Sequence, residues 1–248
     1  MLKINSLYAS CGKKQILHGI TLDVPKGSFT ALIGKNGCGK STLVSCLGSA
    51  LDFKGEITVN GRSFNELSRR ERAKEIAVMP QLLPNPKITV EELVYLGRNP
   101  YLSLSQKASD TDKAEVEKAL TSAELTDFRH RTLNTLSGGE LRRAYLGMVL
   151  AQSTKIIVLD EATAYMDIEN ESKLLSTVKA QNKTVLCVMH DLSAAVEFAD
   201  RIVLMESGKI KFCASAQAAL KEEIIEKSFG VSRYISESEK ETRIFFAR

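Results

Sequence analysis

The sequence has no apolar run long enough to cross a membrane. Its strongest apolar segments, residues 156–159 and 185–189, have the length of buried strands and fall far short of the roughly 20 residues that span a bilayer. Residues 1–5 also lack the apolar centre of a signal peptide. We therefore expect a cytosolic protein, whose attachment to a membrane, if any, comes through a partner.

Paired cysteines and an excess of one charge are also missing. The five cysteines are dispersed and form no C-x-x-C pair, which favours a reducing compartment over a disulfide framework and leaves no apparent zinc site. The 34 basic and 30 acidic residues give a net charge of +4, which is too balanced to indicate a nucleic-acid partner. With 248 residues, 44% of them hydrophobic, the chain can bury a sizeable core.

The most informative stretch is residues 34–41, Gly-Lys-Asn-Gly-Cys-Gly-Lys-Ser, which fits the P-loop pattern G-x-x-x-x-G-K-[ST]. A buried strand is predicted before it and a helix over residues 40–49, flanks that argue against a Gly-rich turn without a ligand. Glycines let backbone N–H groups approach phosphate oxygens, and the positive end of a helix adds to the attraction. We expect Lys40 to reach the β- and γ-phosphates and Ser41 to bind Mg²⁺. The predicted nucleotide-binding residues here are Gly34, Asn36, Gly37, Cys38, Gly39, Lys40, Ser41 and Thr42.

Two carboxylates follow the apolar strand predicted over residues 156–159. In a parallel sheet that binds its ligand at the carboxyl ends of the strands, Asp160 and Glu161 lie beside the P-loop. Asp160 suits Mg²⁺, through a water molecule, because a hard cation prefers oxygen ligands. Glu161 projects further, where a carboxylate can orient or deprotonate the attacking water. We therefore predict a metal ligand and a catalytic base at this strand end.

A second glycine motif is Leu-Ser-Gly-Gly-Glu at residues 136–140. Ser137 is a good helix N-cap, and Glu140 stands three residues later, as a capping box requires. Gly138 and Gly139 leave the N–H groups at the start of this helix uncovered, which favours an anion. Taken alone, the motif is also consistent with a capped helix that has no further role.

The spacing of apolar residues divides the chain into three kinds of structure. Residues 2–24 alternate as two antiparallel strands, and strands alternate with helices from residue 155 onwards, which predicts a mostly parallel sheet. Residues 82–152 are helical by their spacing and are interpreted as an inserted subdomain, within a core formed by residues 1–80 and 153–213. In residues 214–248 we predict a helix over 215–227 and strands over 233–235 and 242–246.

The order of these motifs resembles the nucleotide-binding subunit of an ATP-binding-cassette (ABC) transporter. Residues 136–140 followed by Arg142 and Arg143 are similar to the signature motif of that family. Gln81 after a strand, and Asp167 and His190 further on, complete the order over residues 2 to about 213. The resemblance implies an α/β fold with a P-loop NTPase core, an N-terminal antiparallel β subdomain and an inserted α-helical subdomain. It also implies ATP hydrolysis with Mg²⁺.

The resemblance assigns roles to residues that would otherwise be unremarked. It implies that two copies pair head-to-tail, so that Ser137, Gly138 and Gly139 of one copy close on the ATP held by the P-loop of the other. Gln81 is expected to contact Mg²⁺ or the attacking water and to relay the state of the γ-phosphate to the helical subdomain. Asp167 is expected at the dimer seam, and His190 is expected to donate a hydrogen bond to the γ-phosphate.

Some positions depart from the family pattern. Cys11 stands where an aromatic residue usually stacks on adenine, so we expect reduced discrimination between ATP and GTP, unless Tyr8 takes over the stacking. The other departures are Leu141, Ala162 and Ala164.

Residues 96–101 and 190–201 resemble the ATPases that import iron–siderophores, haem or cobalamin. The expected partners are a separate integral membrane permease dimer and, indirectly, a substrate-binding protein. Alternatives are the ATPase of a zinc or manganese importer, or a soluble ABC ATPase that acts on nucleic acid or assembles iron–sulfur clusters. The basic run over residues 69–74 is interleaved with glutamate, which fits a solvated helix face better than a nucleic-acid surface, so no nucleic acid is expected.

Overall fold

The computed structural model describes residues 1–102, 108–164, 166–237 and 242–247. The strands are β1 (Leu2–Cys11), β2 (Lys14–Val24), β3 (Phe29–Ile33), β4 (Phe53–Val59), β5 (Arg62–Ser63), β6 (Ile76–Met79), β7 (Ile156–Asp160), β8 (Thr184–Val188), β9 (Arg201–Glu206), β10 (Lys209–Ser215), β11 (Ser232–Glu237) and β12 (Thr242–Ala247). The helices are α1 (Lys40–Leu47), α2 (Arg69–Glu75), α3 (Val90–Leu96), α4 (Asp110–Ser122), α5 (Gly138–Ala151), α6 (Ile168–Ala180), α7 (Leu192–Phe198), α8 (Ala216–Lys221) and α9 (Ile224–Phe229).

The central sheet has the strand order β10-β9-β3-β8-β7-β6. All neighbouring pairs are parallel except β10 with β9 at one edge. Every residue of β3, β7 and β8 is buried, as expected of parallel strands covered on both faces. Along β7, Ile157 and Leu159 pack into one core while Ile156 and Val158 pack into the other. The predicted mostly parallel sheet is confirmed.

The second sheet is antiparallel, with the order β2-β1-β4-β5, which confirms the predicted N-terminal antiparallel unit. Its buried side chains share a core with α1 and with one face of the central sheet. The turn at Gly208 ties the two sheets together, because its N–H donates to the Cys38 carbonyl and its carbonyl accepts from the His18 N–H, each at 2.9 Å. A Cβ at Gly208 would lie 2.0 Å from the Ile16 carbonyl oxygen, so only glycine fits this close approach.

Helices α3, α4 and α5 pack on the opposite face of the central sheet. Each begins with a capping box: Thr89 with Glu92, Ser109 with Asp112, and Ser137 with Glu140. In each box the cap side chain accepts from a backbone N–H three residues later, and the acidic side chain accepts from the cap N–H. These local signals set where the helices start. Among the described residues, no helix has both the length and the apolar character needed to cross a membrane.

The C-terminal part differs from the prediction of one helix over residues 215–227. The structure has α8 and α9 instead, separated at Glu223, whose φ of +53° is left-handed and ends helical hydrogen bonding. The edge strand β10 was missed. The alternation of Ile210 and Phe212 after the Ser207-Gly208 turn is the signal that could have identified it.

A buried ion pair joins α4 to the end of α3. Arg98 and Asp112 are only 4% and 6% exposed, and Arg98 Nε lies 2.9 Å from Asp112 Oδ1. Arg98 Nη1 also donates to the Ala151 carbonyl at 2.7 Å, and its guanidinium stacks on Tyr101. The hydroxyl of Ser109, more than the guanidinium, holds the pKa of the Asp112 carboxyl below its usual value. Both charges are therefore satisfied inside the protein.

We expect Asp112→Ala to lower the free energy of unfolding at pH 7 by about 3–5 kcal/mol, because it leaves the Arg98 charge buried without its partner. Urea denaturation measures this loss. Since the folded-state pKa is lowered, the stabilisation by Asp112 is fully present above the ordinary aspartate pKa of about 3.9 and is lost as the pH falls through the lowered value. Asp110→Ala, on the same helix but in an exposed pair with Lys113, is the control. Equal midpoints for the two variants would contradict the argument.

Candidate functional site

A cavity of about 690 Å³ opens at the carboxyl edge of the central sheet. The loops that follow β3, β6, β7 and β8 all contribute to its wall, and the turn between β1 and β2 closes one side. The lining residues are Cys11, Ile16, Asn36, Gly37, Gly39, Lys40, Ser41, Thr42, Gln81, Glu161, Ala164 and His190.

The glycine loop after β3 surrounds a buried lysine. Lys40 is 5% exposed, and its Nζ donates to the carbonyls of Gly34 at 2.7 Å and Lys35 at 3.3 Å. The residue before α1, Gly39, has φ +109° and offers no side chain to cap the helix. The first N–H groups of α1 therefore lie beside an ammonium group at the floor of the cavity, and both attract an anion.

Gly34 fixes the path of the same loop. A Cβ on Gly34 would lie 2.3 Å from the Met205 carbonyl oxygen and 2.8 Å from Cys38 Sγ. The Cys38 side chain is buried beneath the loop and does not line the cavity, so this residue can contribute only its backbone.

Asp160, the last residue of β7, lies next to the start of α1. Its Oδ1 accepts a hydrogen bond from Ser41 Oγ at 3.3 Å, and the residue is 5% exposed. Burial is the main cause that raises the pKa of this carboxyl, and the neighbouring charge of Glu161 raises it further. A hydroxyl that lines the cavity is thus bonded to a buried carboxylate just behind it.

Glu161 brings three strand ends together. Its Oε2 accepts from Gln81 Nε2 at 2.5 Å, and its Oε1 lies 2.6 Å from His190 Nε2. Gln81 follows β6 and His190 follows β8, so these contacts join residues far apart in sequence. The backbone of Glu161 is left-handed, with φ +51°, which costs a non-glycine residue about 1–2 kcal/mol. The turn places its carboxylate at the mouth of the cavity.

Ser137, Gly138 and Gly139 lie outside this cavity. Ser137 caps α5 through its box with Glu140, and the backbone N–H of Ser137 is the main cause that lowers the pKa of Glu140. A Cβ on Gly138 would meet no atom within 4 Å. The start of α5 is thus open at Gly138 and does not line the cavity formed by the glycine loop of its own chain.

Asp167 also lies outside the cavity, at the start of α6. Its Oδ1 accepts from the Asn170 N–H at 2.9 Å, the main cause that lowers its pKa. The Asn170 amide donates to Asp167 Oδ2 at 2.7 Å and accepts from Arg143 Nη1 at 2.8 Å. Arg143 is on α5, so a chain of hydrogen bonds joins the two helix starts that the cavity leaves out.

The cavity wall near the turn between β1 and β2 is formed by Cys11 and Ile16. The sequence reasoning missed Ile16, which lies on β2. Its place in the alternating strand after the Gly12 turn is the available signal. Tyr8, considered as a substitute for Cys11, instead lines a separate depression with Gln15, Asp52 and Phe53, so that alternative is wrong.

The profile described as ABC transporter matches residues 17–164, more than half of the chain. The chain belongs to the ABC transporter family. It is similar to the petrobactin import ATP-binding protein FpuD of Bacillus anthracis, with 33% identity over 95% of this chain and 88% of the relative. It is also similar to the hemin import ATP-binding protein HmuV of Pseudomonas putida, with 34% identity over 93% of each chain.

Solved structures agree with this assignment. A metal-chelate type ABC transporter in an inward-facing conformation superposes with a TM-score of 0.84 over 99% of this chain and 96% of that chain, at 24% identity, which shows the fold. A dimeric post-hydrolysis ATP-binding cassette bound to ADP and Pi has a TM-score of 0.75 and 25% identity over 87% of this chain and 99% of that chain. The predicted ABC ATPase fold and ATP-binding ATPase activity are confirmed.

Proposed function

We propose that this ABC ATPase is the nucleotide-binding subunit of an importer for an iron–siderophore or haem-type chelate. The similarity to import ATP-binding proteins for petrobactin and hemin, over more than nine-tenths of the chain, carries the proposal. In it, two copies work with a separate membrane permease dimer on the inner face of the membrane, and a substrate-binding protein delivers the chelate. The absence of a spanning helix among the described residues is compatible with a separate ATPase subunit.

The glycine loop would bind the phosphates of ATP. Lys40 is held by two carbonyls of the loop itself, so its ammonium already lies at the floor of the cavity and can exchange one carbonyl for a phosphate oxygen. The first residues of α1 line the same cavity as Asn36, Gly37 and Gly39, so their N–H groups would be available to phosphate oxygens. This arrangement stabilises several negative charges without a large rearrangement.

Ser41 and Asp160 fit a magnesium ion. Their oxygens converge within 3.3 Å, and hydroxyl and carboxylate oxygens are the donors that Mg²⁺ prefers. Gln81, across the cavity mouth, would add an amide oxygen, and Asp160 would act through a water molecule. When bound, the ion would neutralise part of the charge on the β- and γ-phosphates.

Glu161 would orient and deprotonate the attacking water. Its carboxylate stands at the cavity mouth, positioned by Gln81 on one oxygen and His190 on the other. His190 would then turn its ring N–H to the γ-phosphate, which leaves one oxygen of Glu161 available to accept the proton of the water. A carboxylate placed in this way typically accelerates hydrolysis by about 10²–10⁴-fold.

A second copy would complete the site. The cavity is open on one side. The start of α5, with Ser137, Gly138 and Gly139, lies outside the cavity of its own chain and is open at Gly138. In a head-to-tail pair, this end closes over the γ-phosphate held by the other copy, and Asp167 lies at the seam. Loss of the γ-phosphate then removes the charge that holds the two copies together.

We expect Glu161→Gln to bind ATP within about threefold of the native Kd but to lose at least about 100-fold in kcat, and to accumulate as a closed dimer, because binding no longer leads to hydrolysis. Lys40→Ala should lose ATP binding. Equilibrium dialysis and size-exclusion chromatography in saturating Mg-ATP measure both effects. Glu206→Gln, an exposed glutamate outside the cavity, is the control. A Glu161→Gln protein that stays monomeric would contradict the mechanism.

We expect Cys11→Tyr to tighten ATP binding at least fivefold, since an aromatic ring that stacks on a base contributes about 1–3 kcal/mol. The preference for ATP over GTP should also rise, because a base held in one position presents its exocyclic groups to fixed neighbours such as Ile16. Titration with both nucleotides measures the two constants. Cys213→Tyr, at an exposed cysteine outside the cavity, is the matched control. An unchanged ATP-to-GTP preference would count against the role of Cys11.

The importer assignment is tested by co-expression with a candidate membrane permease dimer. We expect the two proteins to co-purify and vesicles to take up radiolabelled ferric siderophore or haem in an ATP-dependent way, while Lys40→Ala vesicles show only background uptake. Uptake of zinc or manganese instead, or salt-sensitive DNA binding without a permease, would overturn the assignment.

A further inference from the structure

Helix α5 carries two consecutive arginines that the mechanism above does not use. Arg143 reaches Asp167 through Asn170, whereas Arg142 points about 100° away around the helix, towards the turn after β7. That turn contains Glu161 in its left-handed conformation. A non-glycine residue keeps a left-handed backbone only when neighbouring groups hold it there, so a group close to this turn must do so.

Arg142 contacts the backbone on which the Glu161 side chain depends. Its Nη1 donates to the Ala162 carbonyl at 3.2 Å and to the Glu161 carbonyl at 3.4 Å. The Glu161 carbonyl also accepts from the Ala164 N–H at 3.1 Å, which closes the turn. One guanidinium nitrogen therefore holds two successive peptide groups, and these fix the direction in which the Glu161 carboxylate leaves the chain.

We propose that Arg142 is a positioning residue for hydrolysis, which keeps the Glu161 carboxylate at the cavity mouth by holding its backbone turn. The inference rests on the proposed role of Glu161 as the base. It also gives α5 a second task. Arg142 stands five residues after Ser137, about 7 Å along the helix. The helix end that closes on the partner's nucleotide is thus joined directly to the base of its own chain.

The chemistry of the side chain sets the expected order of variants. Arginine is always charged, and here a single nitrogen of its guanidinium donates to two carbonyl oxygens that lie side by side. Lysine can place its ammonium at one of them. Methionine keeps the apolar stem and has no donor, so it leaves the Glu161 turn without this contact.

The first experiment separates kcat from ATP binding in the full chain. We expect Arg142→Met to lower kcat about tenfold or more while the Kd for ATP stays within about twofold, and Arg142→Lys to recover part of the rate. Arg62→Met, at an exposed arginine of β5, is the control and should match the native protein. Loss of ATP binding and thermal stability together with rate, without recovery by lysine, would show a merely structural role and overturn the proposal.

The second experiment is a double-mutant cycle with Glu161→Gln under single-turnover conditions. If Arg142 acts through Glu161, Arg142→Met slows the native protein but has little further effect in the Glu161→Gln background. An equal slowing by Arg142→Met in both backgrounds overturns the proposal. A native kcat in Arg142→Met, when Glu161→Gln is inactive, overturns it as well. If Glu161→Gln by itself keeps full activity, Glu161 is not the base. That result contradicts the proposed function and is distinct from the outcomes that overturn the role of Arg142. Should Arg142→Met not fold, Arg142→Leu, which also lacks a donor, takes its place in the cycle.

Discussion

The site depends on one constraint, the parallel pairing of the strands β6, β7, β8 and β3. Leu159 pairs with Cys187 and Asp160 with Val188, while Leu32 of β3 pairs with the same Val188. Both faces of these strands are covered, so a shift of one residue would turn apolar side chains to the wrong core. The register is therefore fixed, and with it the alignment of the glycine loop, the two carboxylates, Gln81 and His190 at one edge.

Electrostatics at that edge are balanced before any nucleotide enters. Lys40 and the start of α1 supply positive charge. Asp160, which accepts a hydrogen bond from the adjacent Ser41, and Glu161 supply negative charge. Burial raises the pKa of Asp160, which shows that an unneutralised carboxylate is unfavourable there. A nucleotide brings phosphates to the positive side, and a divalent cation would satisfy the negative side. Under the proposed function, this arrangement would favour the binding of nucleotide and cation together over the binding of either one alone.

The parts of the fold that could be predicted from sequence are those encoded by neighbouring residues. The glycine loop, the strand before Asp160 and the capping boxes at Thr89 and Ser137 each lie within a few positions. The parts that could not be predicted depend on tertiary contacts. Ile16 reaches the cavity only because the Gly208 turn holds β2 against the glycine loop, and the left-handed turn at Glu223 that divides the tail helix has no glycine to mark it. The order of the family motifs assigns roles to residues such as Asp167. The structure gives the position of Asp167, and its proposed role requires a second chain.

The proposed pairing of two copies accounts for the build of α5. Its first residues lie outside the cavity of their own chain, and its next turn is bonded to the turn at Glu161 and, through Asn170, to Asp167. When the start of a rigid helix moves, the residues that are bonded along its side move with it. If a partner's phosphate orders the start of α5, the turn that carries Glu161 and the turn that carries Asp167 are ordered with it. Under the proposed function, hydrolysis in either copy would then require that both copies be engaged, and a lone subunit would not hydrolyse ATP.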